Sequence, residues 1–199
     1  PNSNHVVDVY ELDLAFNAGA RWGGTAKKRI ILRNMTIEKY GVFGVSAQRD
    51  QREQNSHWEL DNLKLQYNQA GGVFCALDDW HVNNCEFLRN RCGGIQINGE
   101  RVRFVNNISN ENEWFGHSEY GGTGLLIGPD EWANSCEVTG NTFKDNGFSE
   151  GYGCGIYLEG RSRNNIIENN FIEGNTHAGI GFYGSDRKST RLNSSHGKL

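Results

Sequence analysis

Apolar and polar residues alternate along this chain in a pattern that recurs six times. The plainest copy runs from Val82 to Ile97: Val82, Asn84 two residues on, Phe87, a polar turn, then Gly94-Ile95-Gln96-Ile97. Anchored on the apolar residue after the asparagine, the copies centre on Ile37, Leu65, Phe87, Ile108, Phe143 and Ile172. Five residues before the anchor stand Leu32, Leu60, Val82, Val138 and Ile167, with Phe104 one residue late. Three before it stand Asn34, Asn62, Asn84 and Asn169, with Asn106 shifted by one and Gly140 as the exception. Each copy closes on a glycine followed by an aliphatic, from Gly44-Val45 to Gly179-Ile180.

Self-similarity at a period of roughly 20–30 residues means a stacked repeat. Pairs such as Val73/Cys75, Ile95/Ile97 and Ile156/Leu158 alternate with period two, the mark of a strand. Three short strands and three turns in roughly 22 residues make one coil of a parallel β-helix, with strands hydrogen-bonded coil to coil about 4.8 Å apart. A leucine-rich repeat shares the period, but it needs an outer segment with its own leucines, which these polar turns do not supply. The asparagine column has a local reason: tight turns need left-handed φ, which Asn tolerates. Stacked amides can also hydrogen-bond to one another.

The motif N-x-x-F-x-x-N…G-I-x-I, over about Arg29 to Ser185, resembles the right-handed parallel β-helix repeat of the pectate-lyase-like superfamily. The resemblance implies an all-β, right-handed parallel β-helix of about six coils, expected to be truncated at one or both ends. It also implies a polysaccharide held along the Gly–aliphatic sheet, and an extracellular or periplasmic location. The catalytic signatures of pectate lyases, polygalacturonases and alginate epimerases do not appear, so no catalytic residue carries over.

Departures from the minimal repeat locate the candidate site. Extra residues fall at Gln48 to Ser56, at Asn110 to Gly122, at Gly128 to Trp132 and at Gly147 to Cys154. Long loops on a rigid scaffold are where function concentrates. With Val45, Val73, Ile95, Leu125, Ile156 and Ile180 inward, one outward row is Ser46, Phe74, Gln96, Leu126, Tyr157 and Gly181. The next row includes Ala76, Asn98, Gly128, Glu159 and Tyr183. Aromatic faces stack on sugar rings and amides bond to hydroxyls. Trp114, Tyr120, Trp132, Tyr157, Arg161, Gln96 and Asn98 are therefore the candidate substrate contacts. His117, Glu119 and Glu159 are the candidate acid–base groups, because hydrolysis or elimination needs a titratable pair. Asp78/Asp79, Glu100/Arg101, Asp130/Glu131 and Glu159/Arg161 are expected to stack at one turn. Such paired carboxylates suit hydrolysis or Ca²⁺ beside a uronate, though no specific motif supports Ca²⁺ and no cofactor is expected. Glu59, His81, Arg103 and Glu137 read as a cross-strand charge ladder.

These features leave a carbohydrate-active enzyme, lyase or hydrolase, as the leading expectation. A non-catalytic glycan-binding or adhesion module is the alternative, and an accessory β-helix of another kind is a third.

The ends change the charge account. Residues 1–28 read as a lead-in, part of an earlier coil. The run Asp186 to His196 resembles, residue for residue, one reading frame of a common short-read sequencing adapter, so 186–199 is expected to be foreign to the protein. That segment carries four Lys/Arg and one Asp. Without it the 20 Lys/Arg and 24 Asp/Glu of the chain become 16 and 23, and the formal charge moves from −4 to −7. An acidic balance argues against general nucleic-acid binding. No run of about 18 apolar residues is present to span a membrane. The five cysteines contain no C-x-x-C, and no metal site is expected.

Overall fold

The computed structural model describes residues 16–17, 29–47, 56–112, 122–128, 133–147, 153–160, 162–184 and 191–193. All described regular structure is strand, and every strand pairing is parallel. The strands in chain order are β1 (Phe16–Asn17), β2 (Ile31–Glu38), β3 (Phe43–Ala47), β4 (Glu59–Gln66), β5 (Gly71–Cys75), β6 (His81–Asn83), β7 (Glu86–Leu88), β8 (Gly93–Ile97) and β9 (Arg103–Val105). They continue with β10 (Ile108–Asn110), β11 (Thr123–Ile127), β12 (Glu137–Thr139), β13 (Thr142–Lys144), β14 (Cys154–Glu159), β15 (Ile166–Glu168), β16 (Phe171–Glu173), β17 (Ala178–Tyr183) and β18 (Arg191–Asn193).

One sheet follows the order β1-β3-β5-β8-β11-β14-β17. The other strands form a second, bent sheet. β2 and β4 run continuously across its bend. In the later coils the bend divides each strand in two, as in β6 and β7. The chain is therefore a parallel β-helix with six full coils among the described residues.

The repeat explains the core. Leu60, Val82, Phe104, Val138 and Ile167 stack in one column, and Val73, Ile95, Leu125 and Ile156 in another, all buried. The bends carry the left-handed residues Asn34, Asn62, Asn84, Asn106, Gly140 and Asn169. That agrees with the turn role read for this column.

One anchor is corrected. Ser109, not Ile108, lies level with Phe87 and Phe143. Ser109 is fully buried, whereas Ile108 is 37% exposed. Phe104 and Asn106 are therefore in step with their neighbours, and the apparent one-residue shift came from choosing the apolar residue over the hydroxyl. The Ser109 hydroxyl donates to the Gly124 carbonyl at 2.8 Å, which makes a polar residue tolerable inside.

The amide stacking belongs mainly to other asparagines. Of the bend residues, Asn62 donates to Asn34 at 2.8 Å near the surface. Two buried ladders do more. Asn68, Asn90, Asn112, Asn146 and Asn175 join amide to amide, each Nδ2 bonding to the next Oδ1 at 2.9–3.2 Å. Asn107, Asn141 and Asn170 repeat this one turn away. In both ladders the side-chain oxygen also accepts a backbone N–H from the coil below, as from Asn90 and Asn107. These bonds satisfy turn backbone that burial would otherwise orphan.

β18 lies within the segment set apart at the sequence level. Its backbone pairs in parallel with β15, Leu192 level with Ile167.

Candidate functional site

The sheet that begins with β3 is the platform. Its repeated glycine has a packing reason. A Cβ at Gly72 would lie 2.7 Å from the Phe87 ring and from the Gly94 carbonyl, and one at Gly124 would lie 2.9 Å from the Phe143 ring. The chain turns inward at this residue, so the glycine and the aliphatic after it both face the core, and the next residue faces out. That sets the outward row at Ser46, Phe74, Gln96, Leu126, Tyr157 and Gly181, in the expected register.

Gln96 and Tyr157 therefore occupy one row, two strands apart with Leu126 between, which is about 9.6 Å of sheet. Both are half-buried. The Tyr157 ring leans over Gly181, where a Cβ would meet it at 2.6 Å. Glu159 ends β14 beside Tyr183 in the adjacent row. Asn98 shares that adjacent row but is only 2% exposed. Trp114, His117, Glu119, Tyr120, Trp132 and Arg161 lie outside the described residues. Gln96, Tyr157 and Glu159 are thus the predicted residues brought onto one face of the sheet, each half-buried, with Leu126 buried between the first two and Glu159 Oε2 buried.

A hollow of about 180 Å³ interrupts the same face above Gly71 and Gly93. Phe43, Ala70, Gln96 and Leu126 are among its lining residues. The ring of Phe43 tilts against Phe74 at 5.4 Å. These glycines gave no functional signal in the sequence, because they directly precede the repeat glycine and read as part of the turn.

The charged turn is corrected in register. Asp79 N–H donates to the Glu100 carbonyl, Arg101 N–H to the Asn134 carbonyl and Ser135 N–H to the Arg163 carbonyl. Asp78/Asp79 and Glu100/Arg101 do stack, but the next pairs are Asn134/Ser135 and Arg163/Asn164. Asp130, Glu131 and Arg161 lie outside the described residues. Sequence counting placed the pairs too early because the fourth and fifth coils lengthen just before this turn.

Arg101 organises what remains there. Its guanidinium reaches Asp79 at 2.7 and 3.0 Å, Glu100 at 3.2 Å and Asp78 at 3.5 Å. Hydrogen bonding to Asp79 chiefly, then the three nearby carboxylates, push its pKa upward against partial desolvation. Carboxylates held this way are poorly placed for acid–base work.

On the bent sheet, Glu59, His81, Arg103 and Glu137 stand level as the expected charge ladder. Arg103 bonds Glu137 at 2.9 Å, and Arg33 pairs with Glu59. Cys75, Cys85, Cys136 and Cys154 are buried free thiols, and Cys92 is half-buried. Burial pushes Cys85 and Cys136 up to about 12, so these thiols stay protonated. Among the described residues, no three His, Cys, Asp or Glu side chains cluster as metal ligands, and no helix is long and apolar enough to cross a membrane.

A family model described as a right handed beta helix region matches residues 14–196. The chain belongs to the right-handed β-helix family. No curated protein and no solved structure matches it. Membership fixes the hand of the coil and agrees with the all-parallel pairing. Right-handed β-helices serve both catalytic and non-catalytic roles, so membership alone assigns no chemistry.

Proposed function

We propose that this right-handed β-helix is a carbohydrate-active protein. It holds an extracellular polysaccharide along the outward row of the first sheet and acts as a polysaccharide lyase or glycoside hydrolase. The observation that carries this reading is the alignment of Phe74, Gln96, Leu126 and Tyr157 on one rigid face, with Glu159 one row away. Rings and methyls meet the C–H faces of sugars, and the amide meets hydroxyls. Sheet-mounted side chains are held in place without further ordering cost. Glu159 supplies a carboxyl group for proton transfer. His117 and Glu119, in the stretch of sequence between Asn112 and Gly122, are its candidate partners. The polysaccharide partner and an extracellular or periplasmic setting belong to the same proposal.

The test is incubation of the protein with a panel of uronate-containing and neutral glycans, reading unsaturated product and new reducing ends. Turnover that is abolished by Glu159→Gln supports the enzyme. No product by either readout rejects it.

A second reading, a non-catalytic glycan-binding or adhesion module, draws on a specific observation. Glu159 is the single carboxylate on the outward rows of this sheet among the described residues, and the nearby turn carboxylates are engaged by Arg101. Glycan binding without turnover, unchanged by Glu159→Gln, selects this reading.

A further inference from the structure

The hollow above Gly71 and Gly93 differs from the rest of the face in chemistry: no charged side chain lines it among the described residues. Its floor exists because two side chains are missing. Neither glycine has a left-handed backbone, and a Cβ at Gly93 would meet only the Thr123 carbonyl, at 3.0 Å, and otherwise open space. Phe43, Ala70 and Leu126 line it, together with the neutral polar residues Gln96, Thr123 and Cys92. At about 180 Å³ it falls below the roughly 300–1,000 Å³ of sites that enclose drug-sized ligands. It admits one small group, while the remainder of an oligomer lies along the sheet.

A carboxylate entering this hollow would lose water and meet no cation among the described lining residues, which disfavours the acid group of a uronate. A methyl group entering it leaves water for apolar walls. We infer that the hollow is a subsite for a neutral, methyl-bearing substituent of the glycan, an O-acetyl group or the C6 methyl of a deoxyhexose, seated beside the Gln96 amide. This rests on the glycan reading above and adds to it which sugars are preferred.

The experiment compares matched probes on the whole chain. Acetylated xylan is titrated against the same xylan deacetylated with base, and L-rhamnose and L-fucose against L-mannose and L-galactose. Saturation-transfer NMR reads which protons contact the protein. Burying one methyl predicts a preference of about three- to fivefold for the methyl-bearing member of a pair. The strongest transfer should fall on that methyl. Ala70→Leu fills the hollow from its wall while keeping the backbone bonds from Ala70 N–H to Val42 O and from Cys92 N–H to Ala70 O. It should erase the preference and leave binding of the unmethylated partner in place. If Ala70→Leu fails to fold, Gly93→Ala intrudes from the floor and makes the same prediction.

A preference in the xylan pair alone assigns the acetyl group, and one in the monosaccharide pairs alone assigns the C6 methyl. Glycan binding with equal affinity for both members of every pair overturns the inference and leaves the glycan reading standing. The same holds for a preference that survives both variants. Binding of no glycan at all overturns both.

Discussion

Asn112 donates from its side-chain nitrogen to the side-chain oxygen of Asn146, 2.9 Å away, and both residues are wholly buried. The same Asn112 nitrogen lies 3.1 Å from the Phe87 carbonyl, and its oxygen accepts from Asn90. One side chain thus satisfies two backbone groups of the preceding coil, the Asn90 N–H and the Phe87 carbonyl, and links to the amide of the following one. Asn112→Ala removes these bonds and leaves buried groups unpaired, at an expected cost of about 2–3 kcal/mol. Denaturant unfolding checks this, and an unchanged midpoint would show that the ladder contributes nothing.

Ser109 and Gly94 are fitted to each other. A Cβ at Gly94 would fall 2.1 Å from the Ser109 hydroxyl oxygen and 2.4 Å from the Gly124 carbonyl. Ser109→Ala removes the bond donated to Gly124 and the one accepted from Asn112 Nδ2 at 3.1 Å, and should cost about 2 kcal/mol at about 1 kcal/mol for each neutral hydrogen bond. Gly94→Ala should cost more, about 3 kcal/mol, because backbone must shift. Thermal melts of the two variants should rank in that order. The reverse ranking would mean that the coil relaxes easily at this corner.

Arg101 shields a carboxylate that has little access to water: the Asp78 side chain is 2% exposed against 43% for Arg101. Exposure of the guanidinium discounts the ion pairs. Arg101→Ala is therefore expected to destabilise by about 1–2 kcal/mol, and Arg101→Lys by less. The gap between wild type and Arg101→Ala should narrow as salt is raised. A gap independent of salt would point to packing of the side-chain stem instead.

The buried thiols predict a pH dependence with a definite sign. Cys85 and Cys136 titrate near 9.0 when unperturbed and at about 12 in the fold, with desolvation the main cause. Their contribution is intact below about pH 9. It is lost as pH rises towards 12, because the unfolded chain releases protons that the folded chain retains. The double variant Cys85→Ala/Cys136→Ala should lose stability less steeply over that window. In the native protein at pH 8, a thiol reagent should label the half-buried Cys92 first and Cys85 and Cys136 only on unfolding. Early labelling of Cys85 would contradict its burial.

On the candidate face, Tyr157→Ala should weaken binding of a recognised glycan about tenfold, equivalent to ~1.4 kcal/mol, without moving the melting temperature by more than a few degrees. Glu159→Gln should leave affinity within about twofold while abolishing any turnover. Isothermal titration beside an activity assay separates these effects. Loss of affinity in Glu159→Gln with turnover retained would reverse the assigned roles.

The columns of the coil could be read directly from the chain because strand stacking repeats the same burial at each rung. Leu60, Val82 and Val138 had to be apolar, and they are. Ser109 broke the reading because its partner is a carbonyl, and no apolar periodicity marks a buried hydroxyl. The ladder from Asn68 to Asn175 lies three residues after the anchors, and its motif contains the second asparagine of N-x-x-F-x-x-N. That signal was present, but an asparagine beside a turn reads first as a surface residue. The outward row of Gln96 and Tyr157 followed from the register. The hollow did not, because an empty space made by Gly71 and Gly93 depends on where Phe43 and Leu126 lie in three dimensions.

Asn112 and Gly122 bracket nine residues, yet a Cβ on Gly122 would lie 3.0 Å from the Asn112 carbonyl oxygen. In the two shorter coils the equivalent step, Asn68 to Ala70 or Asn90 to Cys92, needs one intervening residue. The scaffold itself therefore holds the two ends of this segment together. Residues 113–121 can be exchanged for a single residue, or for a foreign sequence of any length, at a point where the scaffold already closes on itself. A segment joined at such a point can be exchanged without redesigning a rung.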